Sequence, residues 1–252
     1  MMKNWLAVFL LNSVAALAQP AISPPSVGMV RDSGGSVQAV NGINGNFLLS
    51  DTGISNAVSA AFSGSAGLIK TEAETLVLDS SYRITARYDA PGGPALFAFD
   101  ASGAPALAYC SGTLFRFHDG NQEAVNWSGE AVAIALSGPQ SATILVRRDH
   151  RLWTLRLSLA TGDSQYEGLL AGVSGPAALL PDGVLVYFDG NDVVVRDGLG
   201  VERRAAAGFV VGYFEQLGKE WLAIRESGGG RLFTLRVRPQ GIDLYQVPEV
   251  EQ

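Results

Sequence analysis

Three observations on this sequence predict an all-β chain folded as a propeller: five strand starts at a near-constant interval, thirty glycines set largely between short apolar runs, and no convincing helical periodicity over 12 or more residues. The strand starts are Thr75-Leu76-Val77-Leu78, Thr113-Leu114-Phe115, Arg151-Leu152-Trp153-Thr154-Leu155, Asp192-Val193-Val194-Val195 and Arg231-Leu232-Phe233-Thr234-Leu235. Their anchors Leu76, Leu114, Leu152, Val193 and Leu232 fall about 38 to 41 residues apart, close to one blade of four strands of roughly five residues plus turns. A β-sandwich gives no reason for such a spacing.

Lys3 precedes an apolar run from Trp5 to Leu17 that ends in Ala16-Leu17-Ala18. This reads as a secretory signal peptide over residues 1–18, cleaved after Ala18, because the run is shorter than the roughly 20 residues a membrane-spanning helix needs. The expected destination is the periplasm or the outside of the cell, with no membrane insertion after cleavage. Residues 19–26 hold Pro20, Pro24 and Pro25, which suit neither ladder nor helix, and read as an extended lead-in.

Residues 27–252 are expected to form one propeller domain. Within 27–54, Val27 to Arg31, Val37 to Val40 and Phe47 to Leu49 read as strands, but Leu48 lies too close to Leu76 for a full repeat. Either this is a compressed first blade or its strands complete another one, and six blades with a divergent first is favoured over five plus a hairpin. The clear repeats are 55–92, 93–129, 130–174, 175–208 and 209–252, with first strands ending at Gly64, Gly103, Gly138, Gly183 and Gly218. Residues 175–208 are the plainest, with strands separated by Pro181-Asp182-Gly183, Asp189-Gly190-Asn191 and Asp197-Gly198-Leu199-Gly200, turn chemistry that tolerates positive φ. On third strands, Phe233, Leu235 and Val237 alternate with Thr234, Arg236 and Arg238, which predicts one buried face.

Pro181-Asp182-Gly183, placed between an apolar strand and Val184-Leu185-Val186-Tyr187, resembles WD40-like and other bacterial secreted propeller repeats. The Trp-Asp ending and Gly-His start of WD40 blades are absent. The resemblance implies a fold and leaves function open.

Composition narrows the function classes. Cys110 is the single cysteine, so no intramolecular disulfide forms, and it could link two chains only if exposed. A net charge of −6, with Lys70 and Lys219 as the only lysines after Lys3, disfavours nucleic acid and anionic lipid as partners. A closed ring sheds its open edges, so a monomer is expected.

Motifs for chemistry are sparse. Asp32-Ser33-Gly34-Gly35 resembles the segment around the nucleophile of chymotrypsin-like serine proteases, but no histidine lies upstream, and a glycine turn explains it. Asp189, Asp192 and Asp197 do not follow the order of a calcium loop. His118 and His150 are the only histidines, and in a four-stranded meander they fall at opposite mouths of the ring.

One constellation remains. Turns between second and third strands share one mouth, and they carry Arg147, Arg148, Asp149, His150 and Arg151, then Asp189 and Asp192, then Glu226 and Arg231, with Glu72 and Glu74 beside them. Convergent loops on a rigid scaffold suit ligand capture, and mixed signs suit a small polar or zwitterionic ligand or a protein loop. The function expected is an exported, non-catalytic binding module without a cofactor. Two alternatives stand beside it: a hydrolase, lactonase or lyase with a metal in the central channel, for which Asp100 and Glu215 are the obvious carboxylates, and a structural repeat of a surface assembly.

Overall fold

A computed structural model describes residues 25–248 apart from 44, 174 and 229, so the signal-peptide reading and most of the lead-in fall outside the described residues. The chain forms six antiparallel meanders. Blade 1 is β1 (Ser26–Arg31), β2 (Val37–Ile43) and β3 (Asn46–Ile54). Blade 2 is β4 (Ser59–Phe62), β5 (Ala66–Lys70), β6 (Glu74–Asp79) and β7 (Ile84–Asp89), and blade 3 is β8 (Ala95–Phe99), β9 (Pro105–Cys110), β10 (Thr113–His118) and β11 (Asn121–Ser128). Blade 4 is β12 (Ala131–Gly138), β13 (Ser141–Arg148), β14 (Arg151–Ser158) and β15 (Ser164–Leu170). Blade 5 is β16 (Ala177–Leu179), β17 (Leu185–Phe188), β18 (Asp192–Arg196) and β19 (Glu202–Ala206), and blade 6 is β20 (Val211–Gln216), β21 (Trp221–Glu226), β22 (Leu232–Arg238) and β23 (Gly241–Gln246). Among the described residues the one helical element is a 3-10 turn at Pro181–Gly183, where the Leu180 amide donates to the Val184 carbonyl at 2.8 Å.

Six apolar clusters show that the sheets close into a ring, because each cluster joins two neighbours. Met29 and Val37 of blade 1 pack with Phe62, Ile69 and Leu78 of blade 2, and Leu68 of blade 2 packs with Phe99 of blade 3. Leu107 and Leu114 of blade 3 meet Ile144 and Leu155 of blade 4, whose Leu145 and Leu152 meet Tyr187 and Val194 of blade 5. Val193 and Val195 face Leu222 and Phe233 of blade 6, and Ala223 and Leu232 return to Val27 and Phe47 of blade 1. Successive residues of one strand thus serve opposite interfaces, as the period of two requires.

This corrects the expectation of one buried face per third strand. On β22 Leu232 and Thr234 are buried as well as Phe233 and Leu235, because a blade is covered on both sides by its neighbours. Apolar runs without alternation are the outcome. Leu145 is fully buried between blades 4 and 5, so Leu145→Ala is expected to cost about 2–5 kcal/mol in a denaturant titration. A loss below about 1 kcal/mol would mean that this interface collapses around the gap.

The divergence of blade 1 takes the form of a three-stranded sheet among the described residues. β1 packs against β4 and β21, while β20 meets β4 directly, so five inner strands (β4, β8, β12, β16 and β20) enclose the axis and blade 1 begins one place farther out. Its inner edge is held by backbone from blade 6 and by the Tyr82 hydroxyl, which donates to the Gly28 carbonyl at 3.1 Å. The Asp32-Ser33-Gly34-Gly35 segment is the β1–β2 turn, with Asp32 Oδ1 accepting the Ser36 amide at 2.8 Å.

Candidate functional site

The meander order sends the turns between second and third strands, and the links between blades, to one mouth. On blade 4 that turn is Asp149-His150, both at positive φ (51° and 59°), a two-residue reversal whose handedness matches strand twist. Arg148 and Arg151 are therefore directly opposed across the ladder. Arg148 lies 3.8 Å from the Asp149 carboxylate, and its guanidinium sits over the Tyr166 ring at 6.0 Å. His150 and Arg151 border a separate depression with Leu169, Leu170 and Val173, on the outer side of the blade.

The acidic members of the predicted cluster are engaged within their own blades. Asp189 Oδ1 accepts the Asn191 and Asp192 amides at 3.0 and 2.9 Å, and its Oδ2 accepts from Arg204 at 2.5 Å. These backbone bonds, with Arg204 behind them, hold its carboxyl below the usual range. Arg204 also lies 3.8 Å from Asp192. Glu226 takes two hydrogen bonds from Arg231, one of them at 2.7 Å, which lower its pKa. Glu72 accepts the Gly93 amide at 3.2 Å, and Glu74 pairs with Arg87 at 3.0 Å.

Of the nine residues predicted for the mouth, Arg147 is the one that lines the central cavity. This cavity measures about 450 Å³ and takes wall residues from all five inner strands, among them Ala61, Ala95, Val132, Ala177 and Glu215. Arg147 stands beside the link into blade 5, with Nη2 3.5 Å from the Gly175 carbonyl.

Glu215 is the second charged group on this wall, and its surroundings lie at the ring's seam. Its side chain is 12% exposed, with Oε1 3.7 Å from Arg31 Nε on the last residue of β1. Arg31 Nη2 donates to the Tyr213 hydroxyl at 2.7 Å. Burial pushes the Glu215 carboxyl up, against the opposing pull of Arg31 and Arg225. Both Glu215 Oε2 and Arg31 Nε are buried without a hydrogen-bond partner. Tyr213 is raised as well, by burial and then by Glu215. Arg31 and Arg225 also border a cleft of about 270 Å³ between blades 1 and 6, where Asp32 lies with them.

Sequence reasoning placed Glu215 beside Asp100, and the structure puts them in different cavities. Asp100 Oδ1 accepts from the Ser102 amide and hydroxyl and from the Ala104 amide, so it caps the β8–β9 turn. Burial acts to raise its pKa, and these bonds outweigh it. Among the described residues no group of three or more His, Cys, Asp or Glu side chains is placed to hold a metal ion. Arg31, Tyr213 and Arg225 were not legible as partners of Glu215. The one available signal was an acid inside the inner strand Val211–Gln216.

The opposite mouth carries His118, apart from His150, in a cleft of about 960 Å³ between blades 3 and 4. Arg116 there donates to Gln140 at 3.1 Å and to the Pro139 carbonyl at 3.2 Å. Cys110 is 1% exposed, so the condition for linking two chains is not met in the folded protein.

No protein family matches the chain, and no curated protein is significantly similar to it. Solved structures are similar at the level of fold. A chain of a nidogen/laminin complex aligns with 87% of this chain and 92% of its own length, at 10% identity and a TM-score of 0.55. PorZ, a surface component of the type-IX secretion system of Porphyromonas gingivalis, aligns with 91% of this chain at 14% identity and a TM-score of 0.49. This chain spans 39% of PorZ. The β-propeller domain of Swd1 from Myceliophteria thermophila aligns over 76% of this chain and 71% of its own, at 10% identity and a TM-score of 0.47. Identities this low speak to fold alone. By fold, then, the chain is a six-bladed β-propeller.

Proposed function

We propose that the chain is an exported propeller that works as a binding or interaction module, taking a small polar ligand or a protein loop at the mouth where Arg147 stands. The observation that carries this reading is the central cavity: all five inner strands contribute to it, and a charged side chain from a second-to-third-strand hairpin lies at its edge. A rigid ring with loops converging on one depression is suited to recognition, since packed blades hold the walls while the turns vary. Export rests on the apolar run after Lys3 and on Ala16-Leu17-Ala18. The module acts as a single chain without a cofactor.

The test is co-purification from the extracytoplasmic fraction of the source cell, with native mass spectrometry of what is retained. A protein carrying Arg147→Glu, Arg148→Glu and Arg151→Glu should lose a partner that the wild type keeps. These side chains are exposed, so the variant should stay folded by circular dichroism. Equal retention by both proteins would overturn this placement of the site.

A further inference from the structure

Blade 2 buries a cation that no carboxylate answers. Lys70, the last residue of β5, is fully buried, and its ammonium donates to the Thr71 carbonyl. An ammonium carries three donors, so two of them find no acceptor among the described residues, and no carboxylate there forms an ion pair with it. Buried charges are ordinarily paired, because an isolated ion does not recover its lost hydration.

The surroundings supply donors and no acid. Ser59 on β4 and Thr75 on β6 stand directly opposite Lys70 on its two sides, so the three side chains form one row across the sheet. By the alternation that sends Ala61, Leu68 and Val77 toward Phe97 and Phe99, this row faces blade 3. Thr75 is fully buried, and its hydroxyl has no hydrogen-bond partner. The Ser59 oxygen accepts the Ala95 amide at 2.9 Å, which leaves its own proton to give. Ala95 is opposed across the ladder by Cys110, so the buried thiol looks back at the row from blade 3. Burial raises the thiol's pKa, and Lys70 lies near enough to oppose that rise.

We propose that blades 2 and 3 enclose a halide site, in which chloride takes hydrogen bonds from Lys70 Nζ, Thr75 Oγ1 and Ser59 Oγ with the Cys110 thiol beside it. An anion neutralises the ammonium and accepts from both hydroxyls at once, whereas water would leave the charge standing. Opposed side chains on neighbouring strands are about 5 Å apart, which suits a monatomic ion rather than a molecular one. A filled site ties the two blades together.

The test is thermal melting of the purified protein in the sodium salts of chloride, bromide and gluconate at one ionic strength, which makes general screening the same in all three. Chloride and bromide should raise the melting temperature over gluconate by about 2 °C or more, and saturably, as binding to the folded state alone requires. Lys70→Met should abolish the difference, and Thr75→Val should weaken halide binding by about tenfold. A crystal grown in bromide should show an anomalous peak within hydrogen-bond reach of Lys70 Nζ, a readout that stands even where Lys70→Met does not fold. Three results would overturn the proposal: equal melting in all three salts, a halide response that Lys70→Met retains, or a bromide crystal with no peak at the row. Water then fills the row, and the binding reading at the Arg147 mouth is untouched.

Discussion

Gly28→Ala is expected to open the ring at its seam and to cost about 3 kcal/mol or more, the largest effect of any single methyl group added to this chain. A β-carbon at Gly28 would lie 1.4 Å from the Leu217 carbonyl oxygen and 2.5 Å from the carbon of that carbonyl, both of them backbone atoms. The φ of +155° adds strain for any L side chain. Nearby, a β-carbon at Gly218 would meet the Val27 carbonyl at 2.5 Å, so two backbones touch at the seam between blades 1 and 6. Gly64→Ala supplies the control, because Gly64 has φ +97° but nothing within 4 Å of the added carbon. That variant should lose only about 1 kcal/mol. Urea unfolding of the two proteins separates contact from conformation. Losses within about 1 kcal/mol of each other would show that the seam moves aside without cost and that close approach does not hold the ring.

Glu215→Gln is expected to reshape the pH dependence of stability. The folded carboxyl titrates above its ordinary value of 4.5, since burial outweighs Arg31 and Arg225. Between the unfolded and the folded pKa the native state binds more protons than the unfolded chain, so stability is fully present below about pH 4.5 and falls as pH rises through the folded value. One proton sets a slope of at most about 1.4 kcal/mol per pH unit. This runs opposite to Asp189, Glu202 and Glu226, whose lowered pKa values contribute stability that is lost as pH falls. Melting temperatures of wild type and Glu215→Gln, taken from pH 4 to 8, should converge in acid and diverge at neutral pH, with the variant the more stable there. Parallel curves would mean that Glu215 is ionised throughout and that the seam solvates it better than its burial implies.

The starts of the third strands in blades 2 to 6 were legible to within one residue, and the reasons are local. Leu76, Leu114, Leu152, Val193 and Leu232 all fall on third strands, because the interval between them measures a meander and nothing longer. The Asp189-Gly190-Asn191 turn was readable for the same reason: its hydrogen bonds run to residues two and three positions away. The candidate site was read less completely. Arg147, Arg148 and Arg151 sit within five residues of one another, yet Arg147 borders the central cavity while Arg151 borders a depression on the outer side of the blade. Asp189 and Glu226 read as members of one shared mouth, whereas the register pairs them with Arg204 and Arg231 inside their own blades.

Spacing, turn residues and apolar runs were enough to establish an all-β ring of meanders, since each depends on contacts that a few neighbouring residues make among themselves. The closure of that ring was decided by tertiary structure. A three-stranded first blade and the meeting of β20 with β4 bring Arg31 to Glu215 across 184 positions of chain. So was the electrostatic setting of Glu215, because the field at a carboxylate depends on which guanidinium groups packing brings near it, and no periodicity along the chain records that distance.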